Sequence, residues 1–430
     1  MRLPSICLDD ELDNYLTTFR SCFSKPQYKH FVTMLLGLLL CQSEHTLSNL
    51  LRQVEQGSSL ASVSRFLSES PWSSQRLVEQ WLATFRAKMQ PQVLAEHARQ
   101  SGSRLKRRGR PQKTVVTGYL IGDDSTLHKR RGKQMGGMGH HHSSSENKRV
   151  PGHCLVQALY VLQGRRCPLE PLMYTQNAVC LQEQRPFRSK IEQMMQIIND
   201  FEPVAGTQTH VLLDSWYTAK KIWQAARARD FHITSGLKCN RHLRIETPDA
   251  DKAWHWQRVD DYAANLTESD FTQTIWPGSG RPVYVHVVST RVKKLYRCQV
   301  IMVREQLAGN TRYWASSDLA ADSQILLANI ARRWDVEQLF ADVKALLGID
   351  HYQLMSVTSI QRFWVLVMLA YTYLDQQRDR LQRETGIHTT IGDAWRATQQ
   401  QHQKHLIDWI IEAVTVDKLT AADLYAELVA

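Results

Sequence analysis

The spacing of apolar positions changes character several times along the chain. Up to about residue 100 they recur at helical intervals. The stretch 27–53 predicts one helix, built around the run Met34-Leu35-Leu36-Gly37-Leu38-Leu39-Leu40-Cys41. A second helix begins near Ser62. Pro71-Trp72-Ser73-Ser74 then restarts a third through Phe85, with serines placed as caps. From 114 the rhythm shortens. Segments 114–122, 153–162, 167–174, 211–213 and 231–237 predict strands. Phe187, Ile191, Met194, Met195 and Ile198 share one helical face, and 219–229 predicts a further helix. Residues 125–152, rich in glycine and basic residues, read as a loop.

These elements run strand, strand, strand, helix, strand, helix, strand. That is the order of an α/β, RNase H-like core, a mixed sheet flanked by helices. Strand-like segments at 282–290, 294–303 and 311–316, with turns at Pro277-Gly278-Ser279-Gly280 and Gly309-Asn310, predict an inserted β subdomain over 241–322. Helical spacing resumes at Ser323 and is expected to continue through Glu337, so that 323–355 completes the core. A helical C-terminal region fills 356–430, around an apolar segment 363–374. The division expected is therefore 1–100 helical, 101–113 linker, 114–240 core, then insertion, core completion and helical end. The N-terminal helices fit either a plain bundle or a DNA-reading module.

Composition narrows the partners. A net charge of +11 and a pI near 9.3 favour a polyanion such as nucleic acid. Arg104, Lys106, Arg107, Arg108, Arg110 and Lys113 concentrate this charge in a segment broken by Gly102, Gly109 and Pro111. That segment reads as a solvated linker or as a strap along a phosphate backbone. The apolar run at 34–41 is too short to span a bilayer, and it lies too far inside the chain for a signal peptide. No membrane association is expected. Eight scattered cysteines without a Cys-x-x-Cys pair argue against zinc ribbons and disulfide frameworks, and for a cytoplasmic protein.

Candidate chemistry lies in three acids. Asp123 follows Tyr119-Leu120-Ile121-Gly122, Asp214 follows Val211-Leu212-Leu213, and Glu337 lies between Arg333 and Lys344 on a helical stretch. Strand-end carboxylates and a helix carboxylate can converge on divalent cations, which bind hard oxygen donors. Arg333, Glu337 and Lys344, four and seven residues apart, fall in a narrow arc of one helix face. A cation on either side of a carboxylate suits phosphate groups; a surface Arg-Glu pair would be the ordinary alternative. Asp123 and Asp124 are adjacent and point to opposite faces of a strand, so only one can be the primary ligand. Asp123, nearer the strand, is favoured, with Asp124 as a loop-orienting helper. His140-His141-His142 and His153 lack metal spacing and read as a solvated or substrate-contacting loop.

Taken together, these motifs resemble the bacterial insertion-sequence transposases of the DDE class. The resemblance is to the group with a Tyr-x2-Arg-x3-Glu-x6-Lys signature and a β insertion before its third acid. Here Arg333, Glu337 and Lys344 match, and Ile330 replaces the tyrosine. Gly122-Asp123-Asp124-Ser125-Thr126 resembles the first-acid segment, with Lys129, Gly132 and Lys133 following as in its basic loop. Leu212-Leu213-Asp214-Ser215-Trp216-Tyr217 resembles the second. The resemblance covers roughly 115–350. It implies that Asp123, Asp214 and Glu337 are catalytic and bind two Mg2+ ions, with Mn2+ as a substitute. It also implies DNA contacts at Arg333, Lys344, Lys238, Arg241 (with Arg244 beside them) and Lys129. Trp276, with Trp254 and Trp256 near it, would stack on an unpaired base. The expected activity is cleavage at transposon ends and strand transfer. The expected partners are double-stranded DNA, as terminal inverted repeats and target, and a second copy of the chain in the DNA complex. An RNase H-like nuclease that does not join ends, and a catalytically dead DNA-binding protein, are the competing readings. An assay on matched inverted repeats separates the first, and metal-dependent cleavage excludes the second.

Overall fold

A computed structural model of the chain describes residues 10–54, 58–102, 115–132, 134–143, 146–246, 253–416 and 418–424. The basic run from Arg104 to Lys113, Lys133 and Ser144-Ser145 lie outside the described residues. Helices α1 (Asp10–Thr17), α2 (Lys25–Leu40), α3 (Leu47–Leu51), α4 (Leu60–Ser68) and α5 (Ser74–Gly102) precede the first strand. The single helix expected over 27–53 is two. α2 ends where Cys41 turns extended, and the Thr46 hydroxyl accepts the Asn49 N–H at 3.3 Å to cap α3. α5 runs far beyond Phe85 and through Pro91. Proline costs an interior helix about 3 kcal/mol, and here Met89 and Val93, fully buried on either side of it, hold the helix together.

The sheet begins with β1 (Val116–His128), β2 (Gly139–Ser143), β3 (Lys148–Leu162), β4 (Arg165–Pro168) and β5 (Leu172–Tyr174). Then come α6 (Asn177–Gln182), α7 (Lys190–Asp200), β6 (Thr207–Leu213), α8 (Lys220–Ala228) and β7 (His232–Gly236). β1 pairs antiparallel with β3 and parallel with β6, and β6 pairs parallel with β7. β4 and β5 flank the other side of β3. This is the RNase H-like order. The region 125–152, expected as a loop, contains the end of β1, all of β2 and the start of β3. β1 and β3 pair from Gly118–Leu162 to His128–Gly152 and so project beyond their neighbours. Their polar outer ends carry no alternating apolar signal.

The insertion also differs from expectation. β8 (His242–Glu246) and β9 (Trp254–Arg258) form a separate hairpin, followed by α9 (Val259–Ala264). β10 (Thr272–Ile275), β11 (Pro282–Arg291), β12 (Arg297–Arg304) and β13 (Arg312–Ser316) form an antiparallel run, and β13 pairs with β7. The inserted strands therefore continue the core sheet, in the order β10-β11-β12-β13-β7-β6-β1-β3-β2. Backbone groups on β7 that would face solvent are bonded to β13.

Helices α10 (Ser323–Arg332), α11 (Asp335–Ala345), α12 (Val357–Thr385) and α13 (Ile391–Thr415) complete the chain. α12 is buried all round between Phe363 and Leu374, the fate of a helix without a polar face. It joins the terminal helices to the sheet. The Tyr15 hydroxyl donates to the Leu369 carbonyl at 2.8 Å, and the Trp81 indole to Thr372 at 3.1 Å. No described helix is long and apolar enough to cross a membrane.

Candidate active site where the parallel strands part

The parallel strands β1 and β6 stay in register until Gly122 faces Leu213. The next residues are Asp123 and Asp214. β6 stops there, whereas β1 continues for five residues beside β3. Asp123 is thus inside a strand and not at its end, as the apolar run had implied. It stands where its neighbour strand leaves, which opens its edge. The chain after Asp214 turns through Ser215–Tyr217, packed against the end of β7. Gly236 permits that contact, since a Cβ there would lie 2.8 Å from the Ser215 nitrogen.

Glu337 lies in the first turn of α11, a helix that packs on β1. The continuous helix expected through Glu337 is interrupted at Arg333-Trp334, between α10 and α11. Arg333 still reaches forward, with Nη2 2.8 Å from Glu337 Oε1 and Nη1 3.8 Å from Asp123 Oδ2. Its guanidinium bridges two of the acids. Burial pushes the Asp123 carboxyl up to about 7; Asp124 and Asp214 add to this, and the Asp124 N–H and Arg333 oppose it. Asp124 points the other way. Its carboxylate accepts Lys190 Nζ at 2.5 Å and the Tyr217 hydroxyl at 2.8 Å, with Cys154 Sγ at 3.6 Å. Through Tyr217 it fastens the second-acid turn to the first-acid strand.

The other expected site residues divide. Lys344 donates to Ser125 Oγ at 2.8 Å, two residues beyond Asp123, and burial lowers its pKa. Lys238 is exposed, its ammonium 5.5 Å from the Trp216 ring centroid. Arg241 donates to the Thr218 carbonyl at 2.5 Å, just past the second-acid turn. Trp276, Asp214, Arg333 and Trp334 line one cavity of about 1190 Å³. Lys129 is a correction. Expected on DNA, it is only 7% exposed, and its ammonium is given to the carbonyls of Asp350 and Tyr352 at 2.5 and 2.6 Å. Burial lowers its pKa to about 8. Trp254 and Trp256 lie on β9, away from this cavity. Ile330, in the tyrosine's place, packs in an apolar cluster with Val283, Val285 and Leu326. His140 and His142 alternate with buried His141 along β2, so the three rings do not share a face.

Two features escaped the sequence reading. Trp216 and Trp334 are each 61% exposed beside the acids, a costly placement for so large an apolar ring. Trp334 was legible only as a tryptophan set among Arg332, Arg333 and Asp335. Lys190 as the partner of Asp124 was not legible, because 66 residues separate them.

Three carboxylates are hard oxygen donors suited to Mg2+ or Mn2+. As they stand, no three His, Cys, Asp or Glu side chains among the described residues converge tightly enough to hold an ion. The Arg333 guanidinium lies between Asp123 and Glu337. The donor chemistry therefore fits a divalent cation, provided Arg333 gives way to it.

Comparison with known families matches residues 18–260, more than half of the chain, to a DDE superfamily endonuclease model. Residues 188–373 match a transposase DDE domain. Between them the two matches contain all three acids. No curated protein matches the chain. Among solved structures, the cryo-EM structure of a piggyBac transposase synaptic complex with hairpin DNA aligns with a TM-score of 0.44 and 8% identity, over 93% of this chain and 75% of that one.

Proposed function

Because this chain belongs to the DDE superfamily of endonucleases, with a transposase DDE domain over 188–373, we propose that Asp123, Asp214 and Glu337 are its catalytic carboxylates. On this reading it cleaves double-stranded DNA at the inverted repeats ending a transposon and transfers the freed strand into target DNA. One observation supports this above the rest: Asp123 and Asp214 leave adjacent parallel strands at the same register, and Arg333 links Asp123 to Glu337.

The three carboxylates would hold Mg2+, with Mn2+ as a substitute; two such ions, when bound, activate the attacking oxygen and stabilise the leaving one. The protein's own groups then place the strand. Arg333, once released from the acids, has a planar fork for two oxygens of a phosphate. Lys344, steadied by Ser125, puts a second positive charge on the same side of Asp123. Lys238 and Arg241 flank the second-acid turn. Trp276 offers a flat face across the cavity for an unpaired base. A transposon has two ends and the chain one set of acids, so two copies would act together.

The test is cleavage of a duplex bearing matched terminal repeats. Wild type should nick it in Mg2+ and stop in EDTA, while Asp214→Ala and Glu337→Ala bind it without cutting. Joined products on added target DNA mark a transposase. Cleavage without joining would reduce the protein to a nuclease, and undiminished cutting by either variant would remove the site assignment.

A further inference from the structure

A second cavity, of about 930 Å³, lies along the sheet from the acids. It opens beside His232, the first residue of β7, whereas the second-acid turn packs on Gly236, the last. Four residues of strand, roughly 13 Å, separate the two levels. Arg227 from α8, Arg244 from β8, Arg291 from the end of β11 and Arg297 from the start of β12 all line it. Among the described residues Asp230 and Glu246 are its only acids, so the described wall carries an excess of positive charge.

These arginines are set up as donors. The Arg227 guanidinium lies 4.7 Å from the Tyr296 ring centroid, and that of Arg244 lies 4.8 Å from Trp254. A guanidinium placed over a ring keeps its N–H donors, the groups that meet phosphate oxygens. Among the described residues none of the four forms an ion pair, whereas Arg258 on neighbouring β9 is paired with Asp260. Arg244 Nε is moreover buried without a hydrogen-bond partner among those residues. A buried donor left unmade is costly, and a bound anion would satisfy it.

We propose that this cavity is a second phosphate-binding site, filled by the backbone of a DNA segment other than the one being cut. This rests on the transposase reading for the identity of the polyanion. A transposase must hold two DNA segments during joining, and the acids and this cavity lie toward opposite ends of the strands. A free polyphosphate offers the same oxygens, and the experiment separates it.

The affinity of the full chain for a duplex of unrelated sequence is measured across a salt series for wild type and for Arg227→Gln/Arg291→Gln/Arg297→Gln. Each lost phosphate contact removes about 0.9 from the slope of log affinity against log salt. The triple variant should therefore show a slope shallower by about two to three, while still nicking a short end duplex in Mg2+. A slope equal to that of wild type overturns the proposal. Asp230→Asn/Glu246→Gln, which removes the opposing charges, should raise affinity severalfold at low salt; no gain there also counts against the site. Protection of wild type by tripolyphosphate, lost in the triple variant with the DNA slope unchanged, would assign the cavity to a free anion and overturn the DNA reading. If wild type cuts nothing in Mg2+ and the slope still falls, the second site stands and the transposase reading fails.

Discussion

Asp123 and Asp124 are neighbours on β1 with opposite surroundings. The first faces Asp214 and Arg333 in the cleft; the second is held by Lys190 and Tyr217 on the other face of the sheet. Identical chemistry therefore predicts different phenotypes. Asp123→Asn should abolish cleavage without lowering the melting temperature, since burial already disfavours the charge that it removes. Asp124→Asn leaves the partly buried Lys190 ammonium without its anion, and should cost about 1 to 3 kcal/mol of stability while cleavage persists below the melting range. Calorimetry and a cleavage assay on both variants check this, and the reverse pattern would exchange their roles. Arg333 carries a related prediction. Replacing it with Ala removes the cation joining Asp123 to Glu337 and the fork proposed for phosphate, so cleavage should slow by ~100-fold through loss of strand placement. Excess Mg2+ should not restore the rate, since an arginine is no metal ligand. Full rescue across a Mg2+ titration would mean that Arg333 acts only by tuning the acids' charge. A rate equal to wild type would leave it as an ordinary surface pair.

At the scale of elements, the site depends on how β6, its following turn and β7 fit together. Gly236→Ala would drive a methyl group against the Ser215 backbone, which cannot swing aside as a side chain can. The turn carrying Asp214 should shift, with cleavage reduced by ~10- to 100-fold and stability by only about 1 to 3 kcal/mol. Steady-state kinetics alongside urea unfolding separates that outcome from general misfolding, in which both would fall together. The same elements show what was legible in the chain. Val211-Leu212-Leu213 is a buried parallel strand, and such strands announce themselves as unbroken apolar runs. The polar far end of β1 and the outer part of β3 run past β6, paired with each other and with β2 and β5, and without an apolar alternation they read as loop. The joining of β13 to β7 was not legible either, because strand partners 80 residues apart leave no local trace. The acids could be found because each follows or sits within a strong local pattern. Their link through Arg333 was foreseen on a single helix, and it survives the break at Arg333-Trp334 because that break keeps near-helical geometry.

Over the whole molecule, α12 is the member that makes one body of the terminal helices and the sheet, and Asp375 is its anchor. This carboxylate is fully buried, 2.8 Å from Arg165 Nε on β4 and 3.0 Å from Arg378 Nη2 on its own helix, and it also accepts the Arg166 N–H at 3.0 Å. Arg165 and Arg378 are themselves only 7% and 8% exposed. Removing one member of a buried ionic group costs far more than the group contributes, because the remaining charges lose their counter-ion without regaining water. Asp375→Ala should therefore destabilise the chain by about 3 to 5 kcal/mol, a large share of the ~5 to 15 kcal/mol that holds a typical domain folded. An exposed salt bridge of the same geometry would account for no more than about 1 kcal/mol. Since α12 also carries the contacts of Tyr15 and Trp81, the terminal helices and the sheet should lose structure in one step. Urea unfolding followed by helix signal and by tryptophan fluorescence checks this. A lowered midpoint with coincident curves is the expected result. If the two signals separated in the variant, with the sheet unfolding at its wild-type midpoint, Asp375 would be a local brace and α12 no common anchor.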